Sequence, residues 1–213
     1  YAAACLLLPG HGKTGKDFAC SNAAAWKRHV NEFIDAVRAK YASIILVGHS
    51  MGCLLAIDAY LRNPEKIRGL FCLAMPIYLR KPPGGILRSL GIALHKGAYG
   101  KDAVTAAAAS AYSITGATLY DYLKWLPRFM DLFCLIRATR QRLNEVNMPV
   151  CLIFSARDEY VARKSIKACE TLLYHCGATV ALLPDAGHYY YPDSAIESII
   201  DALNHFFDSI AKT

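Results

Sequence analysis

The 213-residue chain has no uninterrupted apolar run approaching the roughly 18 residues that a membrane-spanning helix needs. Its opening, YAAACLLLPGHG, lacks the basic start and small-residue cleavage pattern of a secretory leader. Eight cysteines contain no CxxC pair, and neither HExxH nor zinc-finger spacing occurs, so metal ligation and a disulfide framework are both disfavoured. A net charge of +7 raises the question of nucleic acid, but no run of five like charges exists. Lys and Arg are spread along the chain as on a solvated basic surface. Apart from the Ala-rich Thr105–Ala111, there is no low-complexity tract and no internal repeat. These absences leave a soluble protein that does not bind nucleic acid. Cys5, Cys72 and Cys151 fall inside apolar runs, where a reduced thiol acts as a small hydrophobe, and a reducing cytoplasm fits them best.

What is present is apolar residue in quantity. At 54% hydrophobic, the chain can bury the core of one domain. Five short apolar runs read as strands covered on both faces: Ala3–Leu8, Ser43–Val47, Gly69–Ala74, Val150–Phe154 and Thr179–Leu183. Helical patterns at Ala23–Lys40, Met51–Arg62, Ser165–His175 and Asp193–Ile210 alternate with them, which predicts an α/β domain with a mostly parallel sheet. Asn63-Pro64 and Gly177 are stop signals for two of these helices.

The rhythm breaks between Pro76 and Met148, a segment with no strand-like run, entered through KPPGG and left through NMP. It reads as a helical insertion at 76–148, with the core formed by 1–75 and 149–213. Leu119, Tyr122, Leu123, Leu126, Phe129, Met130, Phe133 and Ile136 recur at helical spacing, and Pro127 is expected to start or kink that helix. Such a stripe faces either the core or a lipid.

The segment IILVGHSMGC, Ile44–Cys53, runs a strand into Gly48-His49-Ser50-Met51-Gly52 and then into a helix. Gly-x-Ser-x-Gly in that setting is a nucleophile elbow, a turn tight enough to strain the serine and to require small residues two positions either side. Ser50 is lifted above the sheet, and the first N–H groups of the following helix face the charge its attack creates. A serine needs a base to take its proton and a carboxylate to orient that base. Of seven histidines, His188 alone combines a post-strand loop, a neighbouring glycine and a following helix. His29, His95, His175 and His205 sit on helical patterns. Asp158, just beyond Val150–Phe154, is preferred as the acid over Glu159 and over Asp185, which belongs to the histidine loop itself.

Together these residues resemble the α/β-hydrolase superfamily, and within it the bacterial carboxylesterase and monoacylglycerol-lipase group with a small helical cap. LLPGHG at Leu7–Gly12, GHSMG at the elbow, MPIYLRKP after the next strand, ARDEYV at the acid and AGH at the histidine carry the resemblance over nearly the whole chain. It implies a Ser50, Asp158, His188 triad, Met51 as a backbone oxyanion donor, and Gly48 and Gly52 as elbow glycines. His49, Leu126, Phe129, Met130 and Phe133 are assigned to the substrate pocket. It also implies short to medium acyl esters or monoglycerides as substrates, with no metal or organic cofactor.

One departure has a chemical consequence. The family's second oxyanion donor precedes the serine by two strand–helix units, whereas only 39 positions separate His11 from Ser50. His11 therefore matches a PGHG loop one strand later, which borders the site without donating. The family's first strands and oxyanion loop are expected upstream of Tyr1, and a chain with one donor is expected to turn over about 10²–10³-fold more slowly. The alternatives left open are a thioesterase, amidase or acyltransferase on the same triad, and a hydrolase-fold binding domain with impaired chemistry. A basic, amphipathic cap could also touch a membrane surface transiently. The physiological ester and the oligomeric state stay open.

Overall fold

A buried apolar run must find partners for its backbone N–H and C=O groups. In the computed structural model of this chain, which describes residues 2–80, 103–111 and 119–212, four runs find them in one another. They are β1 (Ile44–His49), β2 (Ile67–Leu73), β3 (Val150–Ser155) and β4 (Thr179–Leu183), side by side in chain order and all parallel. Parallel neighbours need crossovers, and helices supply them. Among the described residues the α-helices are α1 (Gly15–Cys20), α2 (Ala23–Lys40), α3 (Met51–Arg62), α4 (Ala103–Ala111), α5 (Leu119–Arg142), α6 (Lys164–Leu172) and α7 (Asp193–Ala211).

Strand alternation divides the core into two layers. Ile44, Leu70, Cys72, Val150, Leu152 and Phe154 face α2, α3, α5 and α6, whose Trp26, Leu54, Ile57, Leu135 and Cys169 complete that layer. Phe71, Cys151, Ile153 and Leu183 point the other way, onto Ala195 and Phe206 of α7. The approach of α7 depends on Gly69, where a Cβ would stand 2.3 Å from Ile210 Cδ1 and 2.9 Å from Phe206 Cζ.

The expected strand Ala3–Leu8 does not form. Residues 2–8 join no ladder, Leu7 is 60% exposed, and the chain turns at Pro9–Gly12 with His11 N–H on the Leu8 carbonyl. An apolar run becomes a strand only against a neighbour, and among the described residues β1 pairs with β2 alone. After the turn comes α1, opened by a capping box in which Thr14 and Asp17 satisfy each other's backbone N–H. Pro127 lies inside α5 instead of opening it, removing one N–H from the ladder but not ending the helix. Trp125 Nε1 donates to the Gly15 carbonyl at 2.9 Å, and Arg128 donates to the Ala19 and Ser21 carbonyls, so α5 is fastened to α1 and the turn after it. The Ser165–His175 pattern is split into α6 and a 3-10 turn, Tyr174–Cys176, closed by Gly177 at φ 64°.

Candidate active site

The carboxyl ends of β1, β3 and β4 each feed a loop on the same edge of the sheet. From β1 the chain enters α3 through Ser50 at φ 51°, ψ −120°, a backbone state that L-residues rarely occupy. Two contacts hold it there. Ser50 N–H donates to the Leu73 carbonyl of β2 at 2.9 Å, and Cys53 N–H closes the turn on the Ser50 carbonyl at 3.0 Å. Gly48 is required by space, because a Cβ would lie 2.6 Å from Cys53 N. At Gly52, by contrast, a Cβ meets nothing within 4 Å among the described residues.

His188, 2% exposed, follows β4. Its Nδ1 stands 2.8 Å from Asp158 Oδ2 and its Nε2 3.0 Å from Ser50 Oγ. A carboxylate can only accept, so in the neutral imidazole Nδ1 carries the proton and Nε2 is left to accept from the serine hydroxyl. Asp158 is held in turn: its Oδ1 accepts from Tyr160 N–H at 2.8 Å and Val161 N–H at 2.6 Å. The competing carboxylates go elsewhere. Glu159 Oε2 accepts the His188 backbone N–H at 3.0 Å, and Asp185 pairs with Arg157 at an exposed position. Met51 opens α3, and its N–H belongs to the first turn, where helix geometry provides no intrahelical acceptor.

His49, assigned to the substrate pocket from sequence, turns to the histidine loop. Its Nε2 lies 2.9 Å from the His188 carbonyl, which can only accept, so Nε2 carries a proton. Burial, and after it the neighbouring His188, lower its pKa to about 4, and the ring is neutral near pH 7. Tyr160 and Tyr189 flank the imidazole of His188 with ring centroids at 5.0 and 4.7 Å, neighbours that spacing did not reveal. Their signal was adjacency: each sits within two residues of a triad candidate. Tyr191, close to His49, has its phenol pushed up to about 12 by burial.

Leu126, Phe129, Met130 and Phe133 are all exposed along α5. Phe133 borders a groove of about 200 Å³ with Ile77, Tyr78, Leu79, Ile136, Arg137 and Arg140, none of them a triad candidate. His11 packs edge-on against Phe18 and Trp26 at 5.3 and 5.7 Å, and its pKa is lowered by burial. His29 lies in α2, His175 in the 3-10 turn and His205 in α7, while His95 lies outside the described residues.

A parallel sheet with a Gly-x-Ser-x-Gly turn at one strand end and His and Asp loops at two others defines the α/β-hydrolase class. The chain belongs to it: residues 1–202 match the sequence model of the alpha/beta hydrolase family. Comparison with the curated proteins finds no match. Among solved structures, one from the work on LipS and LipT, metagenome-derived lipolytic enzymes, superposes at TM-score 0.67 with 16% identity, over 94% of this chain and 80% of that one. A monoacylglycerol lipase of Paleococcus ferrophilus gives 0.64 at 15% identity, over 96% and 81% of the two chains. A thermophilic esterase gives 0.56 at 17%, over 89% and 74%. At these identities the likeness is one of fold.

Proposed function

We propose that this chain is a serine hydrolase that cleaves carboxylic esters, short to medium acyl esters or monoglycerides, by two-step acyl transfer. The observation that carries the reading is the continuous hydrogen-bonded line from Ser50 Oγ through His188 to Asp158. His188 Nε2 takes the hydroxyl proton as Oγ bonds to the ester carbonyl carbon. Asp158 stabilises the imidazolium, and Met51 N–H receives the oxyanion. Collapse breaks the C–O bond to the alcohol, which leaves with the proton from His188. Water then gives a proton to the same nitrogen as it attacks the acyl carbon, and collapse breaks the bond to Oγ, which takes that proton from His188 as the acid leaves. The lipolytic and esterase structures that share the fold agree with this substrate class.

In this reading residues 76–148 form a cap. The stripe Leu123, Leu126, Phe129, Met130 and Phe133, exposed on α5, supports transient contact with a lipid surface, which sedimentation with liposomes tests directly. No helix among the described residues is long and apolar enough to cross a membrane. Cys53, Cys72, Cys151 and Cys169 are buried, unpaired thiols, which supports a reducing cytoplasm. The deciding experiment is labelling with a fluorophosphonate, mapped by peptide mass, alongside turnover of matched oxygen esters, thioesters and amides. An adduct on Ser50 with oxygen-ester turnover is expected, both lost in Ser50→Ala. An adduct elsewhere, or a clear preference for thioester or amide, overturns the reading.

A further inference from the structure

During turnover His188 must keep one nitrogen on Asp158 and the other on Ser50 while its charge changes, yet it sits on a loop with no strand ladder to hold its backbone. Its two main-chain polar groups are instead taken by side chains. The N–H donates to Glu159 Oε2 at 3.0 Å, and the carbonyl accepts from His49 Nε2 at 2.9 Å. These side chains come from the ends of two different strands. His49 ends β1 and immediately precedes Ser50, and Glu159 immediately follows Asp158. The residue beside the nucleophile and the residue beside the acid thus grip the backbone of the histidine that joins them.

Two further observations fit a built clamp. Gly187 leaves room for it, since a Cβ there would come within 3.2 Å of Glu159 Oε2 and crowd the carboxylate on its way to the next N–H. The His49 ring is also steadied by Tyr189 and Tyr191, with centroids at 5.7 and 6.3 Å. Chemistry suits each position. A carboxylate on a backbone N–H forms a charge-assisted bond, stronger than a neutral one. A neutral imidazole donates to the carbonyl without placing a second positive charge beside the imidazolium of His188.

We propose that His49 and Glu159 are positioning residues that fix the main chain of His188 in register with Ser50 and Asp158. The proposal rests on the serine-hydrolase reading above. Neither residue exchanges a proton with substrate; they set where the imidazole stands, and a displacement of about 1 Å there costs on the order of 10²-fold in rate.

The test uses the full chain and four substitutions. His49→Phe keeps a ring and removes the donor, while His49→Gln restores an amide donor. Glu159→Leu removes the acceptor at similar volume, while Glu159→Gln keeps one. With p-nitrophenyl butyrate, His49→Phe and Glu159→Leu are expected to lower kcat about 10–100-fold with KM within about twofold. The two Gln variants recover most of the loss. Equal loss in the Gln variants and in His49→Phe and Glu159→Leu, a raised KM at unchanged kcat, or wild-type kinetics in all four overturns the proposal.

A second readout does not depend on activity. The Nδ1 proton of His188, held on Asp158, should give a far-downfield 1H resonance in the wild type and both Gln variants, and exchange-broaden in His49→Phe and Glu159→Leu. If the wild type neither takes the probe nor cleaves esters, the hydrolase reading fails, and this resonance judges the clamp alone: unchanged in all four variants, it overturns it. Should His49→Phe not fold, His49→Asn, whose amide falls short of the carbonyl, takes its place and is expected to behave in the same way.

Discussion

Ser50 Oγ and His188 Nε2 lie 3.0 Å apart although 138 residues separate them in the chain. The two meet because β1 and β4 are parallel members of one sheet, so their carboxyl-end loops open on the same edge. The two are the outer strands among the described residues, about 14 Å apart at the usual strand spacing, so the loop after β4 reaches back over the ends of β3 and β2 to bring His188 to Ser50.

The tautomer of His188 is set by Asp158, and changing it should be costly without disturbing the fold. In Asp158→Asn the amide can still accept from Tyr160 and Val161 N–H through its oxygen, but it presents NH₂ to Nδ1. The imidazole then protonates on the wrong nitrogen. We expect kcat for ester hydrolysis to fall about 10⁴-fold, with thermal melting close to wild type.

The two elbow glycines should behave differently. In Gly48→Ala the new methyl meets the backbone of Cys53 at 2.6 Å, which has no rotamer to escape into, and a loss of about 3 kcal/mol or more is expected in urea unfolding. Gly52→Ala replaces a helical glycine whose added Cβ meets nothing within 4 Å among the described residues, and should gain about 0.5–1 kcal/mol. Comparable destabilisation by the two substitutions would contradict the geometry.

Acid should weaken the fold through His49. Its folded pKa of about 4 lies below the ordinary 6.5, so the unfolded chain binds a proton over a range where the folded one does not. The neutral ring's contribution is complete above about pH 6.5 and is lost as pH falls toward 4, on the order of 3 kcal/mol. His11, lowered by burial, adds in the same direction. Urea midpoints at pH 7, 5.5 and 4.5 should fall less steeply in His49→Gln than in the wild type.

Gly69 sets the seat of α7. Gly69→Ala drives a methyl into Ile210 and Phe206, whose side-chain ends can shift but only by lifting the helix from β2. The expected cost is about 1–3 kcal/mol, read from chemical denaturation. Trimming Ile210 to Ala in the same chain should return part of it.

Much of this was legible in the sequence for a local reason. Four strands are apolar runs bounded by turn chemistry, and Ser50, Asp158 and His188 each follow one of them directly, so their placement at strand ends could be read along the chain. Ala3–Leu8 has the same composition and is no strand, because pairing depends on a neighbour that no local pattern reports. α1 was missed for its length, six residues, although Thr14 and Asp17 spell its cap. The partner of His49 lies 139 residues away, on a carbonyl that every residue possesses, so nothing in its own neighbourhood could name the contact. Leu126 and Met130 show the converse: helical spacing finds a stripe but not what the stripe faces.

The fastening of α5 to α1 bears on how such proteins can be recombined. Trp125 and Arg128 reach back to carbonyls at Gly15, Ala19 and Ser21, more than a hundred residues earlier in the chain. The central segment is therefore not a cassette that lifts out between β2 and β3. A chimera that replaces this segment removes Trp125 and Arg128, and the Gly15, Ala19 and Ser21 carbonyls lose these donors unless the imported segment supplies others.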